Sequence, residues 1–217
     1  MKKFLKLLFY SVGTLLGGII GFPLGLLSLL EKWTIRTEGI YITCATMVAI
    51  IPGWPGNFVR ASFYLIALEA FHPTAIIGFG SYFSNRGARV GRYAGTGAYC
   101  IMGMVDLEPE VRLASRVSIT SGLHQHGSSA TVGAVEEVPS LRERVRIGKG
   151  AWVGEGAIVG ADIGDGAVVA VGAVVTKPVP AYSMAMGNPA RILPTVNVVA
   201  PKQDNPTETK PKDSAAN

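Results

Sequence analysis

From Val145 onward the chain repeats every six residues: VRIGKG, AWVGEG, AIVGAD, then IGDGAVVAVGAVVTK. Aliphatic side chains recur at Ile147, Val153 and Val159, and again at Ile163, Val169 and Val175. The phase slips once, between Val159 and Ile163, where two residues of a hexad are missing. An earlier set keeps the period at Leu107, Leu113 and Ile119, and Ile77, Phe83, Val90 and Thr96 follow it more loosely. A fixed short period constrains a fold more tightly than any local propensity, because each repeat must be one structural unit that stacks on copies of itself.

Residues two apart on a strand face the same side. Two before the marked positions stand Val111, Val117, Val145, Ala151, Ala157, Ala167 and Ala173, all small or β-branched and apolar. Each hexad is therefore a very short strand with two inward side chains. The residue after each marked position is often small (Ala114, Gly148, Gly154, Gly160, Gly164, Ala170), which suits a tight corner with a positive φ. The period and the density of Gly and β-branched residues exclude a helix. What remains is a solenoid of parallel strands, with turns about 4.8 Å apart.

The 217 residues divide into four zones. Residues 1–36 hold Lys2, Lys3 and Lys6, then an uncharged run from Leu7 to Leu30, 24 residues and long enough to cross a bilayer as one helix. Gly17, Gly18, Gly21 and Pro23 lie inside that run and could break it into a re-entrant or interfacial hairpin; both readings stay open. No small-x-small cleavage site follows, which argues against a signal peptide. Basic residues flank both ends, so they do not fix an orientation. Residues 37–72 read as a helical lead-in. Pro52-Gly53-Trp54-Pro55-Gly56 breaks the chain, and Asn57 is placed to cap a helix through Phe71 with Val59, Phe63, Ile66 and Ala70 on one face. That helix docks on a membrane or on the end of the main domain. Residues 73–194 carry the repeats, and the polar tail 195–217 reads as disordered.

Only 16% of residues are charged and the mean hydropathy is +0.34, which points to membrane contact. The net charge of +5 is scattered without interleaved aromatics, so nucleic acid is not the expected partner. The basic excess suits a phosphate-bearing cofactor or an anionic membrane surface. Cys44 and Cys100 form no C-x-x-C pair, so no structural zinc site is expected.

The hexads stop after Ile119 and resume at Val145. The next inward position would hold Gln125, which would need hydrogen-bond partners if buried, so the coil opens here into a loop. His124 and His126 flank Gln125; they are two of only three histidines, the third being His72.

The repeat resembles the [LIV]-[GAED]-x-x-[STAV]-x hexapeptide of left-handed β-helix acyltransferases. The segment from Trp152 to Leu193, with its Thr176-Lys177-x-Val-Pro and Gly-Asn-Pro-Ala-Arg191 runs, looks like the C-terminal half of maltose, galactoside and polysaccharide O-acetyltransferases. That resemblance implies a left-handed parallel β-helix, all-β apart from an apolar helical N-terminal extension. It also implies a homotrimer with active sites between subunits and acetyl-CoA as acyl donor, with no metal.

It carries the catalytic base to His124. An imidazole near neutral pKa can take the hydroxyl proton as the oxygen attacks the thioester. His126 would contact the acceptor or stand idle at the surface. Backbone N–H groups at Gly154-Glu155 would hold the oxyanion. Trp152, Val171, Thr176, Lys177 and Arg191 would meet the cofactor, Val171 through its backbone and Lys177 and Arg191 at the phosphates. The missing two residues after Val159 should alter one corner of the CoA groove. The group orienting His124 is open; Glu136 and Glu137 are nearby.

The expected activity is acetyl transfer to a sugar hydroxyl of a membrane-associated glycan, at the cytoplasmic face where CoA is found. Alternatives are an amino-sugar N-acetyltransferase, an inactive structural solenoid, and a metal-dependent carbonic anhydrase, for which His72 lies too early to complete a zinc shell with His124 and His126.

Overall fold

Every marked hexad position, the loosely fitting early set included, points into one continuous core: Ile77, Phe83, Val90, Thr96, Leu107, Leu113, Ile119, Ile147, Val153, Val159, Ile163, Val169 and Val175 are all buried. Their partners two residues earlier, from Val111 to Ala173, are buried with them. The computed structural model describes residues 2–34, 38–121 and 143–193.

The core is wrapped by three parallel sheets, one strand per turn in each. The first face stacks β1 (Ala70–Phe71), β3 (Arg89–Val90), β6 (Val105–Leu107) and β9 (Val145–Ile147), and continues through single bridges at Ile163 and Val179. The second stacks β4 (Gly95–Thr96), β7 (Arg112–Leu113), β10 (Trp152–Val153), β12 (Val168–Val169) and β14 (Met184–Met186). There the chain turns back, and β15 (Arg191–Leu193) runs antiparallel to β14. The third stacks β2 (Tyr82–Phe83), β5 (Ile101–Met102), β8 (Ser118–Ile119), β11 (Ile158–Val159) and β13 (Val174–Val175). The result is a three-sided solenoid that begins at Ala70, slightly ahead of residue 73.

The corners correct two sequence readings. Positive φ falls three residues after the inward aliphatic, not one: at Tyr93, Glu110, Gly150, Gly166 and Tyr182 between the first and second faces, and at Gly80, Tyr99, Arg116, Gly156 and Gly172 between the second and third. The small residues directly after the aliphatic answer a different demand. A Cβ on Gly148 would lie 2.5 Å from the Asp165 nitrogen, and one on Gly154 would lie 2.6 Å from the Val171 nitrogen, so the stacked backbones exclude it. The phase slip is also no local defect. Val159 to Ile163 and Val175 to Val179 each span the corner from third to first face in four residues, so the shortened corner is a repeated feature of that edge.

The chain is not all-β, because three helices precede the solenoid. The long helix α1 (Lys2–Thr34) is unbroken, Pro23 included, so the hairpin reading fails. Two of the glycines that suggested a break, Gly17 and Gly21, line one face every fourth residue together with Gly13 and Gly25, whereas Gly18 lies against Phe22 of the same helix. That stripe lets α1 press against α3 (Gly53–Ala67): a Cβ on Gly17 would sit 2.5 Å from the Phe58 carbonyl carbon, and one on Gly21 would sit 2.6 Å from the Val59 oxygen.

Between them runs α2 (Gly39–Ala49), held at both ends by charge. The buried Glu31 carboxylate accepts the Ile40 and Tyr41 N–H groups at 2.7 and 2.9 Å, favourable at a helix N-terminus. It also pairs with Arg86 at 2.6 Å, whose guanidinium lies over the Tyr41 ring. At the other end Arg60 donates to the Val48, Ala49 and Ile51 carbonyls, 2.7 Å to Ile51, and to Ile77 of the solenoid at 2.9 Å. Asn57 is no cap. It lies inside α3, which starts after Pro52 and stops at Ala67, and its Oδ1 accepts the Ile77 N–H. Ala70, expected on the helix face, is already in β1.

Candidate active site

Among the described residues, the longest sequence excursion between successive strands of the solenoid, from Ile119 to Val145, falls at the edge between the third and first faces. Ile119 is still inward, and Ser121 is buried with its Oγ accepting the Met104 N–H at 2.9 Å. The chain returns at Glu143, whose N–H donates to the Ser121 carbonyl at 3.1 Å, and Val145 re-enters the sheet by donating to Met104. The two ends of the excursion are thus pinned to each other. His124, His126, Glu136 and Glu137 belong to the segment between them and lie outside the described residues, as does the tail 195–217. His124 follows the pinned Ser121 by three positions.

Thr176 and Lys177 sit on the same edge, two turns further on, and both are exposed. Lys177 is two before the inward Val179, where alternation would bury it. The four-residue corner is too short to hold that strand position, so the lysine turns outward.

The remaining cofactor candidates gather elsewhere. Gly154 and Glu155 form the edge between second and third faces, with Val171 stacked on them and 68% exposed. The Gly154 N–H is engaged by the Val169 carbonyl at 2.8 Å, so it is not available to an oxyanion. The amides of Ser115, Glu155 and Val171, one per turn, find no acceptor among the described residues. They make a ladder of outward donors along this edge. Trp152 stands on the second face between Arg112 and Val168, 43% exposed. Arg191 opens β15, exposed and paired with Met186. It is delivered there by the Gly187–Ala190 turn, which closes over β13: Val174 donates to the Gly187 carbonyl and Ala190 to the Val174 carbonyl.

The predicted residues therefore divide between the two edges that border the third face, with Trp152 and Arg191 on the second. Six residues of extended chain cover about 20 Å, so one chain alone does not bring the two edges to a common reacting centre.

The outer surfaces of the faces differ sharply in charge. The first carries a ladder of ion pairs. Glu69 binds Arg89 and Arg144, Arg144 reaches Asp106 at 3.5 Å, and Arg146 joins Glu108 and Asp165 at 3.2 and 2.8 Å. Hydrogen bonding from Arg89 holds the Glu69 carboxyl below its usual pKa, whereas burial pushes that of Asp106 up. The third face presents Tyr82, Ile101, Ser118, Ile158 and Val174 instead. Sequence reasoning passed over this contrast, although the alternate positions spell it out. Among the described residues no cluster of His, Cys, Asp or Glu could hold a metal. His72 is committed locally: its Nδ1 faces the Thr74 hydroxyl at 2.8 Å, and burial lowers its pKa.

A parallel three-sided solenoid defines a fold class, and solved structures share it. A maltose O-acetyltransferase from Clostridium difficile superposes with a TM-score of 0.58 at 23% identity, over 72% of this chain and 84% of that one. A galactoside acetyltransferase in complex with coenzyme A gives a TM-score of 0.54 at 18% identity, over 74% of this chain and 81% of that one. The hexapeptide-repeat resemblance read from the sequence is thus met by the fold. No protein-family model matches the chain, and no curated protein matches it significantly.

Proposed function

We propose that this protein is an acetyl-CoA-dependent acetyltransferase that acylates a hydroxyl of a sugar in a membrane-associated glycan. The observation that carries this reading is what borders the third face: on one edge Ser121, three positions before His124 in sequence, and the exposed Thr176-Lys177 corner, and on the other the amides of Glu155 and Val171, which find no acceptor among the described residues. The sugar O-acetyltransferase fold supports the same reading, and with it we assign the solenoid a left-handed sense. His124 takes the proton from the attacking hydroxyl, and His126 contacts the acceptor. The Glu155 N–H receives the oxyanion without reorganising. Val171 holds the CoA arm through its N–H, Trp152 packs beside it, and Thr176, Lys177 and Arg191 face the phosphates.

A homotrimer reconciles the separation of the two edges. Packing the apolar third face against a neighbour sets the His124 edge of one subunit against the Glu155 edge of the next. The long apolar N-terminal helix supports a location at the cytoplasmic face of a membrane, where CoA is available. The test is thiol release from acetyl-CoA with membrane glycan extract as acceptor. Wild type should release thiol, and His124→Ala should lose about 10²-fold or more. Equal release by both removes His124 from the mechanism, and absence of acetyl-CoA binding favours an inactive structural solenoid.

A further inference from the structure

The helix α1 meets the length and composition needed to span a bilayer over Leu8–Thr34, yet its packing forbids the upright orientation. The cap helix α3 lies across the open end of the first turn. Along it, Asn57 accepts the Ile77 N–H at 3.0 Å, Arg60 donates to the Ile77 carbonyl at 2.9 Å, and the Tyr64 hydroxyl accepts the Phe83 N–H at 3.3 Å. The contacts thus cross from one face of the solenoid to another. Helix α1 runs parallel to α3: Gly13 and Gly17 meet Phe58, Gly21 meets Ser62, and Gly25 meets Ile66. Its far end is tied to the second turn through Glu31 and Arg86. So α1 also lies across the base, one helix spacing (about 8–10 Å) further out.

An upright α1 would draw its neighbours into the hydrocarbon, which is about 30 Å thick. Helix α3 and the first turns, with the Glu69–Arg89–Arg144 ion cluster, would be buried there, and intramembrane charge of that kind is costly. The outward side of α1 nevertheless demands cover. From Leu8 to Leu30 it exposes Phe, Leu, Val and Ile side chains without a charge, Ile19 at 77%. A water-facing helix side would be polar. Ile42 of α2, Ile50 just after it and Trp54 of α3 are exposed as well. An exposed tryptophan stands near each end, Trp33 and Trp54, and lysines flank the apolar stretch at positions 2, 3, 6 and 32. Tryptophan and lysine are the residues that anchor at headgroup depth.

We propose that α1 lies flat in one leaflet of an anionic bilayer, as a one-sided platform that stands the solenoid on the membrane with its axis near the normal. The platform sinks about 5–10 Å, to the acyl boundary. This goes beyond membrane association as such: both termini stay on the solenoid's side, and nothing crosses.

The test uses the full chain with a protease-cleavable epitope before Met1 and another after Asn217, expressed and recovered in sealed inside-out membrane vesicles. Cleavage of both epitopes without detergent is expected. Protection of the N-terminal one while the C-terminal one is cut would overturn the proposal. Purified protein should also co-sediment with phosphatidylcholine vesicles containing phosphatidylglycerol. The double variant Leu16→Glu with Ile19→Glu, whose side chains are 63% and 77% exposed, should reduce the bound fraction about tenfold or more while keeping the wild-type circular dichroism. Wild type that ignores the vesicles and instead pairs with a second copy through this surface would overturn it equally. Neither readout depends on catalysis.

Discussion

Gly154 and Gly156 are two residues apart on one corner and resist substitution for different reasons. Gly156 has φ +69° with open space around it, and Tyr99 and Arg116 occupy the same position on neighbouring turns. Gly156→Ala should therefore cost only the left-handed penalty of about 1–2 kcal/mol, a fall in Tm of about 2–8 °C for a chain of this size. Gly154→Ala places a Cβ against the Val171 nitrogen, and the stacked turns must part. Its thermal loss should exceed that of Gly156→Ala, and acetyl-CoA affinity should fall with it because the Glu155 and Val171 amides move. Paired calorimetry and CoA titration separate the two. Glu31 is a harsher case. Removing its carboxylate leaves Arg86 buried and the α2 N-terminus uncapped, a loss of about 3–5 kcal/mol by the usual cost of breaking a buried pair. Glu31→Ala should melt far below wild type. Glu69 responds to pH instead. Its folded pKa is depressed by Arg89, so its contribution is present above the unfolded value of 4.5 and lost as pH falls through the folded value. The Tm gap between wild type and Glu69→Gln, about 1–4 °C at pH 7 for an exposed pair, should close as pH falls through that depressed folded value.

The same glycine ambiguity governs how legible the elements are. A hexad strand is easy to read because both its inward positions, such as Ala157 and Val159, stack on like residues in the next turn. In α1 the signal inverts. Gly17, Gly21 and Pro23 resemble breakers locally, and only the partner helix reveals the glycines as a contact surface. Asn57 failed as a cap for the same reason: its acceptor serves Ile77, twenty residues away. The candidate site can be proposed from motifs, but its geometry cannot be read from the sequence. The Thr176-Lys177 and Arg191 runs can be picked out directly, whereas the edge each occupies depends on how many residues every preceding corner consumes. If the stripe holds α1 to α3, Gly21→Leu should unseat it, because a Cβ there already meets the Val59 carbonyl oxygen at 2.6 Å and the Ser62 hydroxyl. Limited proteolysis should then cut between α1 and α2 in the variant and not in wild type, while the solenoid fragment stays resistant.

At the scale of the molecule, the polarity of the three faces and the division of the site are one problem. The first face satisfies its charges within the chain through Glu69, Arg144, Arg146 and Asp165. The third face leaves Ile101 and Ile158 nearly half exposed, and it separates the edge of Ser121 and Thr176-Lys177 from the Glu155 edge. A closed ring that buries the third face would cover the apolar surface and join the edges in the same step, with every active site shared by two subunits. Such sharing has a quantitative consequence. A His124→Ala chain and a Glu155→Pro chain, which lacks the N–H at that position, should each be inactive alone. Mixed by co-refolding in equal amounts, they should form some interfaces with both edges intact. Random assembly gives one chance in two for each edge, so about a quarter of wild-type activity should return in a cyclic assembly. If each site lies within one chain, mixing recovers nothing. Ile158→Lys charges the third face without touching either edge, so it should abolish both the assembly seen by light scattering and the recovered activity.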